Sequence, residues 1–176
     1  MSNSELNVLS FNENSTIREA VELEPKKVKI VSWREYTNLL TDLYDKVQYG
    51  SFDAVVAIGR GGTIIGSYLA SKLGIPNVHS VFVRHNGRGR ELKVVADDAS
   101  QIKSLHGSIL VADDWLCEGR AMRYVLNQLP KDASVTTLVM FNRKGSEFKP
   151  DIVGAYADED ERDIILPYGP IESRSD

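Results

Sequence analysis

Two adjacent acids, a glycine-rich turn carrying one arginine, and a short run dense in basic residues are the parts of this sequence best suited to chemistry. The acids are Asp113 and Asp114, which close the apolar run Ile109-Leu110-Val111-Ala112. Carboxylates at the end of a strand suit magnesium, which takes hard oxygen ligands and keeps several waters, or sugar hydroxyls, which donate to them. The same pair also fits a helix N-cap followed by a solvated acid. The turn is Gly59-Arg60-Gly61-Gly62. Glycines let backbone approach an anion closely, and a helix starting behind them offers unpaired N–H groups with positive partial charge. Arg60 adds a planar fork for phosphate. A tight turn whose glycines only permit close packing fits these residues too. The basic run extends from Arg84 to Lys93 and includes Arg88, Arg90 and two glycines. It reads as a mobile positive loop able to close over an anionic leaving group, or as a solvated hairpin.

The elements that would hold these residues follow from periodicity. Ser32 with Glu35 three residues on has the form of a capping box. Trp33, Tyr36, Leu40, Leu43 and Val47 recur at helical spacing behind it, so one apolar face, Trp33 included, is expected in the core. Ala54–Ile58 reads as a buried strand, Gly59–Gly62 as a loop, and Thr63–Leu73 as a helix closed by Gly74 and Pro76. Val78–Val83 and Ile109–Ala112 read as strands. A helix carrying Met122, Val125, Leu126 and Leu129 comes next, then a strand over Val135–Phe141. Two short runs, Ile152–Tyr156 and Ile164–Leu166, come last. Strand, glycine loop, helix, strand is the grammar of a mostly parallel sheet flanked by helices, an α/β fold that binds ligands beyond the carboxyl ends of its strands. The loops after Ile58 and Ala112 are therefore where a ligand is expected. Residues 1–25 are rich in Ser, Asn and Glu and read as a polar N-terminal arm, with one short helix around Ile17–Leu23; residues 26–176 read as one domain.

Bulk properties narrow the class. The 176 residues suit one domain, and a hydrophobic fraction of 42% suffices for a core. A formal net charge of −4 argues against wrapping nucleic acid through bulk electrostatics. A single cysteine, Cys117, requires no oxidising compartment. No secretory signal is visible, and no run approaches the ~18 apolar residues of a membrane span. A cytoplasmic location without membrane or nucleic-acid partners is expected. The turn matches neither the dinucleotide fingerprint nor the nucleoside-triphosphatase loop.

In this order and spacing, the segments resemble the type I phosphoribosyltransferases, and most closely their bacterial and archaeal xanthine or hypoxanthine–guanine branch. The resemblance runs from about Val28 to Pro170. Gly59-Arg60-Gly61-Gly62 stands where that branch has a pyrophosphate-binding Ser-Arg-Gly-Gly. Arg90-Glu91-Leu92-Lys93 resembles the segment beside its flexible loop. Asp113-Asp114 matches the acidic pair opening the phosphoribosyl pyrophosphate motif. Ser146 to Asp151 and Ile164-Ile165-Leu166-Pro167-Tyr168 resemble its purine side. The resemblance implies a small hood built from the N- and C-terminal segments and a magnesium-dependent transfer of 5-phosphoribosyl to a purine-type base. It assigns pyrophosphate to Gly59, Arg60, Gly61, Gly62, Arg90 and Lys93. Ribose hydroxyls and metal fall to Asp113 and Asp114, and the base to Arg143, Lys144, Asp163 and Ile164. Homo-oligomers are common in that branch, so one is expected by analogy; a partner protein docking on the arm is a further expectation.

The chain departs from the pattern in one half of the site. Where the family continues with Asp, Thr, Gly, Gly, Thr around the 5′-phosphate, this sequence has Cys117, Glu118, Gly119, Arg120 and Ala121. Cys117 replaces an acid thought to handle a purine proton, and a thiol with a pKa near ~8.5 accepts protons poorly at neutral pH. A carboxylate at Glu118 facing a phosphate costs a few kcal/mol at ~4 Å and an effective dielectric near ~20, unless Arg120 pairs with it. Asp163 stands where the family stacks an aromatic ring on the purine, and Arg143 where it has a lysine. Two functional readings follow: an active purine-type transferase with altered base choice, and a non-catalytic binder of a nucleotide or pyrophosphate-type ligand acting through a partner.

Overall fold

The computed structural model describes residues 27–85, 92–96, 99–158 and 161–169. The short helix expected around Ile17–Leu23 lies outside them. Eight strands and four helices are described: β1 (Lys27–Ile30), α1 (Trp33–Val47), β2 (Ala54–Ile58), α2 (Gly59–Leu73), β3 (Asn77–His85), β4 (Leu92–Ala96), α3 (Ala99–Ile102), β5 (Ser108–Leu116), α4 (Arg120–Leu126), β6 (Ser134–Arg143), β7 (Ile152–Ala157) and β8 (Glu161–Ile165). Six strands form one sheet in the order β4-β3-β2-β5-β6-β7, and β1 pairs with β8 in a separate two-stranded sheet. All neighbours in the large sheet are parallel except β3 and β4. The expected α/β architecture is therefore present, and the β1–β8 pair brings the N- and C-terminal segments together.

Local chemistry explains the elements that position the strand ends. Ser32 caps α1, its side chain accepting from the Glu35 N–H at 3.2 Å. Tyr36, Leu40, Leu43 and Val47 bury one face of that helix. Trp33 does not join them. It opens the helix, is 60% exposed, and meets the core only through the edge of its ring on Tyr36. Every residue of β2 is buried, as expected of a central parallel strand covered on both faces. Leu110 and Ala112 of β5 face the core layer under α1 and α2, whereas Ile109 and Val111 face the layer that includes Ile102, Met122 and Val125.

Two boundaries differ from expectation, and both matter for the site. Helix α2 starts at Gly59 rather than Thr63. Gly59 takes the left-handed conformation (φ 65°), which turns the chain directly out of β2. Gly61 and Gly62 then lie inside the helix's first turn, pressed on β5. A side chain at Gly61 would run into the Asp114 carboxylate, and a Cβ at Gly62 would lie 2.5 Å from the Ala112 carbonyl oxygen. Strand β5 in turn does not stop at Ala112 but continues to Leu116, because the long strand β6 supplies partners: Asp113 pairs with Val139, Trp115 with Phe141 and Leu116 with Asn142. The run from Arg84 to Lys93, read as a loop, has both ends in strands, with Arg84 opposite Lys93 in the β3–β4 ladder.

The chain leaves β2 through α2 toward β3 and leaves β5 through α4 toward β6, on the other side. Between β2 and β5 the order of the sheet therefore reverses, and a crevice opens beyond the strand ends at such a point.

The packing of α2 on β5 can be tested directly. Gly62→Ala should destabilise the fold by about 1–3 kcal/mol, since backbone cannot yield to the added methyl, although alanine is intrinsically the better helix former. Ser32→Ala should cost about 1 kcal/mol, the usual loss of an N-cap. Urea unfolding of both variants measures the contrast.

Candidate active site

Asp113 and Asp114 leave β5 on opposite faces, as adjacent residues of a strand must. Asp113 is buried, at 7% exposure, and opens on the side of α4. Burial holds its carboxyl well above the usual carboxylate range; the charge of Asp114 pushes the same way, and the Asp114 backbone N–H, donating to Asp113 Oδ1 at 2.9 Å, opposes. Asp114 lies against Gly61 on the α2 side, where the Tyr168 hydroxyl donates to its Oδ2 at 3.1 Å. Tyr168 stands edge-on to Tyr36, with ring centroids 5.4 Å apart. Burial first, then the Asp114 charge, raises the Tyr168 hydroxyl, and burial pushes Tyr36 up to about 12. Both hydroxyls therefore stay protonated at neutral pH, and that of Tyr168 is the donor to the carboxylate.

A cavity of about 450 Å³ opens at the carboxyl end of β5, lined by Asp113 and by Trp115 to Met122. It brings Cys117, Glu118, Gly119, Arg120 and Ala121 together around Asp113. Gly119 (φ 75°) turns the chain into α4 and has no room for a side chain, because a Cβ would strike Phe148. Glu118 and Arg120 form an ion pair across the loop. Arg123 fixes the loop from below: its Nη1 donates to the Glu118 carbonyl at 2.9 Å while its guanidinium lies 5.6 Å from the centre of the Phe148 ring. The carboxylate that would oppose a phosphate is thus partnered, in a surface pair worth ~0–1 kcal/mol.

The other expected site residues are dispersed. Arg60 is exposed in the first turn of α2, beside the same crevice. Lys93 lies on β4, and Arg90 falls outside the described residues. Arg143 and Lys144 end β6 and line a second cavity of about 230 Å³, with Lys144 paired to Asp158 at 2.6 Å. Asp163 pairs with Val28 in the β1–β8 ladder, and Ile164 packs against the hydrophobic core. Asp151 is a strand tie: its Oδ2 accepts from the Thr137 N–H and hydroxyl, both at 2.7 Å. Sequence reasoning missed Arg123, and it had Phe148 and Tyr168 only as parts of the purine-side segments, not as the ring behind Gly119 and the donor to Asp114. Nothing in their spacing announces contacts that only tertiary packing creates.

Among the described residues, no group of three or more His, Cys, Asp or Glu side chains could hold a metal by itself. The described residues offer no closed cage. That fits magnesium held by one carboxylate, water and the ligand's own phosphates, its usual arrangement, and does not fit a resident ion.

No protein-family model matches the chain. Solved structures do. A purine phosphoribosyltransferase from Pyrococcus horikoshii superposes with a TM-score of 0.71 at 17% identity, covering 85% of this chain and 98% of its own. A Helicobacter pylori xanthine-guanine-hypoxanthine phosphoribosyltransferase gives 0.64 at 20% identity over 80% and 92%. A Neisseria gonorrhoeae protein with bound ppGpp gives 0.68 at 21% identity over 84% and 92%. The chain has the type I phosphoribosyltransferase fold. On this phosphoribosyltransferase fold, the candidate crevice lies at the sheet's topological switch. Among the described residues no helix is long and apolar enough to cross a membrane.

The raised Asp113 predicts a pH dependence. An unfolded carboxyl ionises near ~3.9, so above that pH the folded chain binds the extra proton and loses stability until Asp113 itself ionises. In metal-free buffer, Asp113→Asn should therefore gain stability relative to the parent between pH 5 and pH 8. Thermal unfolding at the two pH values reads this out; parallel melting curves would contradict it.

Proposed function

We propose that the crevice between β2 and β5 takes a phosphorylated ribosyl ligand, and that the chain transfers 5-phosphoribosyl from phosphoribosyl pyrophosphate to a purine-type base, releasing pyrophosphate. The observation that carries this is the cavity formed by the loop after β5 around Asp113, at the switch point. In the reaction a base nitrogen bonds to C1 of the ribose while the bond from C1 to the pyrophosphate oxygen breaks, its electron pair leaving with pyrophosphate, and the base gives up one ring N–H proton to water. Arg60, with Arg90 and Lys93 from the basic run, would meet the leaving anion, while Gly59 gives backbone access. Asp113 and Asp114 would accept from ribose hydroxyls, and Tyr168 keeps Asp114 in one orientation. Magnesium bound with the ligand would neutralise pyrophosphate charge. Cys117 to Ala121 would line the 5′-phosphate, with Arg120 exchanging Glu118 for the phosphate.

A second reading has its own support: binding of a nucleotide or pyrophosphate-type ligand without turnover. None of the residues from Cys117 to Ala121 carries a hydroxyl for phosphate, and Glu118 brings a carboxylate there. The ppGpp found on the Neisseria gonorrhoeae protein of the same fold places guanine nucleotides among the ligands to try.

Calorimetric titration with phosphoribosyl pyrophosphate, pyrophosphate, GMP and ppGpp, each with magnesium, separates the readings. The transferase reading expects phosphoribosyl pyrophosphate to bind in the micromolar range and Arg60→Ala to weaken it by about tenfold or more, the loss of a charge-assisted contact. Turnover with a panel of purines should accompany binding. Binding of nucleotides without turnover selects the second reading. Replacing Cys117, Glu118, Arg120 and Ala121 together by Asp, Thr, Gly and Thr should then raise affinity for phosphoribosyl pyrophosphate, whereas a specialised enzyme should lose its native activity.

A further inference from the structure

We propose that Tyr36 is a positioning residue for the ribose side of the crevice: its buried hydroxyl completes a chain of donors, Tyr36 to Tyr168 to Asp114, that aims the Asp114 carboxylate at the ligand's ribose hydroxyls. This rests on the reading under Proposed function and adds to it a contribution from helix α1, away from the strand ends.

The hydroxyl of Tyr36 is not needed for packing. The residue is only 1% exposed, and two other rings meet its ring edge-on, Trp33 with centroids 6.1 Å apart and Tyr168 with centroids 5.4 Å apart. Phenylalanine would make the same ring contacts without burying a polar atom. The Tyr36 hydroxyl instead lies buried with no hydrogen-bond partner among the described residues. An orphan of this kind costs stability, so its presence asks for a function.

Neighbouring elements hold the chain of hydroxyls in line. Tyr36 closes the first turn of α1, its N–H donating to the Ser32 carbonyl at 2.9 Å. Tyr168 follows β8 in a turn closed by the Gly169 N–H, which donates to the Leu166 carbonyl at 2.8 Å. Strands β1 and β8 pair, and the Val31 N–H extends that ladder to the Ile165 carbonyl at 2.9 Å, so one small sheet places both tyrosines. From there the Tyr168 hydroxyl reaches Asp114 Oδ2 at 3.1 Å. It is also near enough to act on the Tyr36 proton, yet the two hydroxyls stop short of a hydrogen bond. A small shift of Tyr168 closes that gap. A hydroxyl that accepts a hydrogen bond donates a stronger one, so Tyr36 donating to Tyr168 tightens the hold on Asp114.

The chain acts on the direction of the carboxylate. Tyr168 takes Oδ2 on one side, and the group lies where a side chain at Gly61 would otherwise stand. Direction matters most to hydroxyl donors, because hydrogen bonds weaken steeply away from their axis. Ribose presents such donors. Pyrophosphate alone has none, and gains nothing from the arrangement.

The test is calorimetry on the full chain with magnesium, using phosphoribosyl pyrophosphate and pyrophosphate, with urea unfolding as a second readout. Tyr36→Phe should weaken phosphoribosyl pyrophosphate by about threefold to tenfold, the loss of one hydrogen bond, while leaving pyrophosphate within about twofold. Its urea midpoint should match the parent's or rise, because an orphan hydroxyl has gone. Tyr168→Phe should weaken phosphoribosyl pyrophosphate further, and adding Tyr36→Phe to it should change nothing, since Tyr36 acts only through Tyr168. Unchanged phosphoribosyl pyrophosphate affinity in Tyr36→Phe, or an equal loss for both probes, would overturn the positioning role and leave the crevice reading standing. No binding of phosphoribosyl pyrophosphate by the unmutated chain would overturn the two together.

Discussion

The close approach of α2 to β5 is the constraint on which the rest of this molecule depends. Helix α2 begins directly after the last residue of β2, and its first turn leaves no room for a side chain against Ala112 and Asp114. Gly66 continues the seam one turn later, where a Cβ would come within 3.0 Å of Val55. This contact brings the carboxyl ends of β2 and β5 together at the reversal of the sheet. It also decides which face Asp114 occupies, because only a glycine opposite lets that carboxylate lie against the helix start. Once Asp114 is fixed there, the alternation of the strand sends Asp113 to the other side, under α4.

The two acids consequently live in different environments. Asp114 is partly buried, with a tyrosine hydroxyl donating to it and a helix start beside it. Asp113 is enclosed in the apolar layer with only one backbone N–H to compensate, so its charge is costly until a ligand or cation arrives. A pair that looks equivalent in sequence is therefore unequal in surroundings: one carboxylate accepts a hydrogen bond from Tyr168, and the other is enclosed beside the cavity lined by Cys117 to Ala121.

Much of this fold was legible because its signals are local. The capping residue Ser32, the apolar face of α1, the uninterrupted β2 and the closing Gly74 each act through neighbours in sequence, and each appears where expected. The misplaced boundaries were those set by distant partners. The acidic pair looks like the end of a strand until β6 extends the ladder past it, and the glycine turn looks like a loop until β5 is seen to pack inside it. Trp33 has helical spacing but lies at the first residue of its helix, where one ring edge on Tyr36 is all the burial available. At the candidate site, Cys117 to Ala121 were legible as a group because they are contiguous, and they line one cavity. Arg123 and Phe148 meet that loop, and Tyr168 meets Asp114, from separate elements, and no spacing in the chain encodes those meetings.

The glycine motif also changes in meaning once its surroundings are known. In sequence, an intact Gly-Arg-Gly-Gly beside a rewritten phosphate loop reads as selective retention of the pyrophosphate half of a site. The packing shows that Gly61 and Gly62 would be required even in a chain that bound nothing, since larger residues there would push α2 off the sheet. What remains as testimony to a ligand is the part the fold does not need. Arg60 is exposed in the first turn of α2, with no structural duty there among the hydrogen bonds and ion pairs described. Gly59 faces open space, so its conformation matters but its neighbours do not. An anion-binding reading of this turn therefore leans on Arg60, which makes no hydrogen bond or ion pair among the described residues, rather than on the glycines around it.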